Sequence, residues 1–123
     1  MKMLFYACED PSDFSKYYKL FKHIKLLNET GHEAKIILEC RAVLAPLVFY
    51  DSSNPLKSLY MDIRQNILAI CKTCATKYNT VEECKSQNLP IKGLLGSHIA
   101  CEQYIRKNYY AMCMFSNSET IKI

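Results

Sequence analysis

No run of this sequence is apolar for long enough to span a bilayer: the longest are broken by Lys, Asp or Pro within about ten residues, against the roughly 20 a crossing helix needs. The start also lacks a basic segment leading into an apolar stretch and a small-residue cleavage site, so no secretory leader is expected. A strong excess of one charge is missing too. Sixteen basic residues against twelve acidic give +4, which without clustering is too little for a nucleic-acid footprint. There is no repeat, low-complexity run or linker-like stretch, and dividing 123 residues in two would leave neither half an adequate core. One domain over residues 1–123 is predicted, with 116–123 as a polar tail.

Half of the residues are hydrophobic and 23% are charged, the balance of a chain that folds. The seven cysteines are an odd number and stand without a leader. They are therefore read as reduced thiols of a soluble, cytoplasmic protein and not as a secreted disulfide framework.

Lys2-Met3-Leu4-Phe5-Tyr6-Ala7-Cys8 is a short apolar run closed by Glu9-Asp10-Pro11, as in a buried strand entering a loop. Beyond it, Phe14, Tyr17, Tyr18, Phe21, Ile24 and Leu27 step by three and four, which predicts one buried helical stripe with Asp10 or Ser12 as N-cap. Lys16, Lys19, Lys22 and Lys25 make the outer face basic. Gly31 can end this helix in a left-handed turn, and residues 32–38 read as a second strand. A strand, a crossover helix and a strand within some forty residues argue for a parallel sheet.

Residues 39–56, with Pro46, Pro55 and the turn cluster Asp51-Ser52-Ser53-Asn54, receive no assignment. Leu56, Leu59, Tyr60 and Ile63 have helical spacing, and residues 66–70 suit a central strand running directly into Cys71. After it, Ala75–Tyr78 reads as a helical turn, Asn79 suits a left-handed kink, and Thr80-Val81-Glu82-Glu83 is a capping box opening a further helix. A weak strand over 89–95, a helix over 98–107 capped by Ser97, and a buried strand over 109–115 complete the reading. The class is α/β, a three-layer sandwich on a central, mostly parallel five-stranded sheet.

The chemistry concentrates on Cys71-Lys72-Thr73-Cys74. Sites in open parallel sheets form beyond the carboxyl ends of the strands, where Cys71 falls. A thiol there, at a helix N-terminus, has its thiolate favoured by unpaired N–H groups, and Lys72 and Lys77 would add positive potential. Three chemistries fit the spacing: a reversible dithiol, half of a zinc site with Cys84 and Cys101 as further ligands, or a cysteine carrying sulfur as a persulfide. A second Cys-x-x-Cys is missing, as is an aromatic-Cys-Gly-Pro-Cys turn. Cys8, Cys40, Cys84, Cys101 and Cys113 are read as buried core cysteines, although Cys8 closes the first strand and so could share the crevice. His98 could face it too, whereas His23 and His32 read as surface residues.

The order of these pieces over residues 2–115 resembles the DsrE/TusD-type (DsrE/DsrF-like) sulfur-relay family. The likeness rests on the opening strand and helix, on Gly31-His32-Glu33-Ala34-Lys35-Ile36-Ile37-Leu38, and on Ile67-Leu68-Ala69-Ile70-Cys71 followed by helix, kink and Thr80-Val81-Glu82-Glu83. It implies a flavodoxin-type topology and a sulfur-accepting role for Cys71, with Cys74 as its accessory. The implied protein is a sulfurtransferase or carrier subunit, not a stand-alone enzyme. Its expected partners are donor and acceptor proteins and further subunits in trimers or hexamers; no cofactor, metal, membrane or direct nucleic-acid contact is expected. A non-catalytic assembly subunit and a thiol-disulfide or metal-binding protein are the alternatives. The chain departs from the family pattern at Glu39-Cys40-Arg41, in a region often rich in glycine.

Overall fold

The apolar run at the start forms β1 (Lys2–Ala7) in the computed structural model, which describes residues 1–93 and 102–114. Leu4, Phe5, Tyr6 and Ala7 are all buried; burial of successive residues means that both pleat faces are covered, as in a strand inside an α/β sandwich.

Helix α1 (Phe14–Glu29) is capped by Asp13, whose side chain accepts the Lys16 N–H at 3.2 Å. Neither expected cap, Asp10 or Ser12, is used: Asp10 instead accepts the Ser12 N–H at 2.8 Å in a side-chain turn that precedes the helix. The buried stripe is Tyr17, Leu20, Phe21 and Ile24, so the predicted stripe needs correcting. At 100° per residue Tyr18 is turned a quarter of the way round from Tyr17; it and Phe14 are exposed and stack with ring centroids 6.2 Å apart. On the basic side, Lys16 pairs with Glu9 and Lys25 with Asp62, each at 2.9 Å. Gly31, at φ +91°, ends the helix as its spacing indicated, and β2 (Glu33–Leu38) follows.

The unassigned stretch is a series of short helical turns. A 3₁₀ turn (Cys40–Leu44) leads into α2 (Ala45–Phe49), with Pro46 in the first turn, where a missing N–H costs nothing. The Asp51 carboxylate then accepts the Ser53 N–H at 2.8 Å, and α3 (Lys57–Ile63) and a 3₁₀ turn (Arg64–Asn66) deliver the chain to β3 (Ile67–Cys71). Helix α4 (Lys72–Lys77), the kink at Asn79 with φ +58°, and α5 (Val81–Ser86) come next. Thr80 occupies the N-cap of α5 without a side-chain capping bond. The capping box fails because Glu83 turns away, its Oε2 accepting Gln87 Nε2 at 2.8 Å.

Strand β4 (Ile91–Lys92), α6 (Glu102–Ile105) and β5 (Tyr109–Met114) complete the described chain. The fourth strand is shorter than predicted because Pro90 has no N–H to give the ladder; its carbonyl accepts the Ile70 N–H at 2.8 Å. Of the helix expected over 98–107, Glu102–Ile105 forms and Arg106 and Lys107 stand in the turn after it; Ser97, His98, Cys101, the rest of 98–101 and residues 116–123 lie outside the described residues.

The sheet is parallel throughout, with helices on both sides and strand order β4-β3-β2-β1-β5. The α/β sandwich on five strands is as predicted. Its order differs from the flavodoxin-type 2-1-3-4-5: the chain winds steadily from β1 to β4, then returns to pair β5 with β1 from Lys2↔Tyr109 to Ala7↔Met114. As an edge strand, β5 leaves Tyr110 and Met112 exposed, where a buried strand was expected. One side of the sheet carries an aromatic core in which the Phe49 ring lies 5.2 Å from Tyr17, 5.3 Å from Phe21 and 6.3 Å from Tyr60. Tyr60 donates to Gln87 Oε1 at 2.6 Å, and Gln87 Nε2 donates to the Pro46 carbonyl at 2.9 Å, tying α5 to α2 and α3.

Candidate functional site

Three adjacent parallel strands run out at the same level, because Ala7 pairs with Leu38 and Leu38 with Ile70. Each delivers a cysteine there: Cys8 one residue past β1, Cys40 two past β2, and Cys71 as the last residue of β3. The carboxyl edge of the sheet is thus lined with thiols.

Cys71 is also the N-cap of α4, with extended backbone angles (φ −63°, ψ 117°), and spacing of three puts Cys74 on the same helical face. Their thiols are hydrogen-bonded neighbours. The backbone N–H of Cys40 donates to Cys74 Sγ at 3.2 Å, brought there by a left-handed conformation at Cys40 (φ +50°). Burial is the main influence on the Cys74 thiol and, together with the Cys71 thiol beside it, pushes it up to about 12 against the opposing pull of the Cys40 amide.

Access divides this group. Cys71 has 0% of its surface exposed and Cys74 5%, so the expected nucleophile open to the crevice is instead enclosed at the start of α4. Cys40, read from sequence as core, is exposed, and Cys8 is half-buried. Cys84 is buried in α5 as expected, and burial pushes its thiol up to about 11. Lys72 and Lys77 are both exposed, with Lys77 Nζ 5.4 Å from the centroid of the Tyr78 ring. The two described histidines stand apart: His23 Nδ1 is 2.7 Å from the Lys19 carbonyl, and His32 lies beside the amino group of Met1.

Sequence reasoning missed Arg41. Its Nε donates to Asp10 Oδ2 at 2.5 Å, and its guanidinium lies 5.1 Å from the centroid of the Tyr78 ring. It therefore ties the turn carrying Cys40 to the loop after β1 and to the end of α4.

Among the described residues no group of three or more His, Cys, Asp or Glu is arranged to hold a metal ion. Nor, among them, is any helix long and apolar enough to cross a membrane.

Fold and site together define a parallel α/β domain with a buried thiol pair beneath an exposed third thiol. The chain is 34% identical over 83 residues to the uncharacterized protein MJ0733 of Methanocaldococcus jannaschii, covering 68% of this chain and 67% of that one; it belongs to the family of that protein. No family model matches. A solved structure of a conserved protein of unknown function, BT1422 from Bacteroides thetaiotaomicron, superposes with a TM-score of 0.67 over 92% of this chain and 94% of that one, at 15% identity. That likeness extends to the fold.

Proposed function

We propose that this protein is a sulfur-relay subunit that holds sulfane sulfur as a persulfide on Cys71. The observation that carries the reading is the contact between two thiols at the carboxyl end of a parallel strand, with a third cysteine donating its amide to one of them. A sulfur taken up there is screened from water and from stray thiols, and a neighbouring thiol stands ready to resolve it. The resemblance to DsrE/TusD-type proteins points the same way, and it implies as partners a donor protein, an acceptor protein and further subunits.

The test is to incubate the reduced protein with sodium tetrasulfide, trap thiols and persulfides with iodoacetamide, and digest with trypsin. Residues 36–41, 65–72 and 73–77 form separate fragments, carrying Cys40, Cys71 and Cys74 respectively. One extra sulfur on residues 65–72 is expected. An unchanged mass, or sulfur retained only on other fragments, overturns the assignment. The complete burial of Cys71 favours a second reading, an assembly subunit with structural thiols; it gains if no thiol of the native protein takes up sulfur.

A further inference from the structure

The proposed carrier has no surface of its own, so sulfur bound for Cys71 must pass through another group. Resting on the relay reading above, we infer that Cys40 is the receiving thiol of the site: it takes the sulfur from the donor and hands it inward through Cys74.

Three observations bear on this. Cys40 is exposed where Cys71 and Cys74 are buried. It directly overlies the buried pair: with the amide 3.2 Å from Cys74 Sγ and an N–Cα bond of about 1.46 Å, the Cys40 Cα lies within about 4.7 Å of that sulfur. The Cys40 side chain therefore springs from a Cα close to the Cys74 sulfur, and rotation about its Cα–Cβ bond is the motion that can carry the Cys40 sulfur toward it. Finally, the turn is held at both sides, since Arg41, the next residue, engages Asp10 and the Tyr78 ring.

The chemistry balances without an added oxidant or reductant. The Cys40 thiolate attacks the outer sulfur of a donor persulfide; a new S–S bond forms, the donor's S–S bond breaks, and the donor leaves as a thiolate. Cys74 next attacks the same outer sulfur, now on Cys40. Burial holds Cys74 as the thiol at neutral pH, so it attacks only as it gives up its proton, which is taken up by the Cys40 sulfur as that sulfur departs. The outcome is a Cys40 thiol and a Cys74 persulfide in hydrogen-bonding contact with Cys71, which accepts the sulfur in a second exchange of the same kind.

The order of labelling tests this in the unmodified protein. With tetrasulfide quenched at intervals, the extra sulfur is expected on residues 36–41 before it reaches 73–77 and 65–72. In Cys40→Ser, an exchange at an exposed position, sulfur on residues 65–72 should accumulate at least about tenfold more slowly, because Cys71 and Cys74 are buried and the half-buried Cys8 is the only other described thiol at this edge. An unchanged rate in Cys40→Ser, while the wild type still carries sulfur on residues 65–72, removes the role of Cys40 and leaves the relay intact. Absence of sulfur from every wild-type fragment removes both.

Discussion

Alkylation of Cys74 by iodoacetamide at pH 7 should be roughly 100-fold slower than that of a cysteine in an unstructured peptide. Thiolates, not thiols, are the nucleophiles, and an ordinary cysteine ionises at about 8.5. With Cys74 pushed up to about 12, the gap of about 3.5 leaves roughly 3,000-fold less thiolate at pH 7. A more basic thiolate is intrinsically more reactive, with a Brønsted slope of about 0.4–0.5, and this returns roughly 40-fold. The remaining factor of about 100 is a lower bound, because reagent must also reach a residue only 5% exposed. The assay follows modification of residues 36–41, 65–72 and 73–77 in one digest, so the exposed Cys40 serves as an internal control. The Cys74 rate should keep climbing about tenfold per pH unit past pH 9, where the peptide control levels off. Reaction of Cys74 within threefold of the control at pH 7, or a plateau by pH 9, would refute the argument that burial governs this site.

Two further outcomes concern stability. Cys74 and Cys84, pushed up to about 12 and about 11, favour the folded state as neutral thiols; this contribution is complete below the unfolded value of about 8.5 and is lost as pH rises through 11 and 12. The urea midpoint should therefore fall between pH 8 and pH 10.5, and fall less in Cys84→Ala; an equal fall in both proteins counts against it. Phe49→Ala removes a ring, 1% exposed, from between Tyr17, Phe21 and Tyr60, and should cost about 3–5 kcal/mol in urea unfolding. A loss below about 2 kcal/mol would show that the aromatic core closes over the gap.

Where one local rule dominates, the sequence was a sufficient guide. The run at 2–7, the left-handed stops at Gly31 and Asn79, and the passage from strand to helix at Cys71 all follow from side-chain pattern and backbone sterics. Errors came where two local options compete. Asp10, Ser12 and Asp13 all favour helix starts, and the choice fell to Asp13 because Asp10 was engaged by the turn and by Arg41. Thr80 and Glu83 match a capping box, but Glu83 serves Gln87 instead. Strand order is a non-local property: an apolar run does not reveal its neighbours, so the edge position of β5, with Tyr110 and Met112 exposed, was hidden. The candidate site was legible to the extent of Cys71 and Cys74. Cys40 was not, because an apolar strand followed by cysteine resembles core, and the left-handed turn that exposes the residue while aiming its amide inward leaves no periodic signal.

The pairing of β1 with β5 sets a timetable for biosynthesis. Lys2 is in register with Tyr109, so about 100 residues must be added after the first strand before its second neighbour exists, some 5–20 s at roughly 5–20 residues per second. Throughout that interval β1 can pair with β2 on one side only. Its other backbone edge is an open template for any extended segment nearby, including the β1 of another nascent copy. Contacts of such long separation also close slowly. Closure by β5 is thus the step at which crowded translation, or a slow stretch of synthesis between residues 93 and 109, would divert this chain into intermolecular pairing.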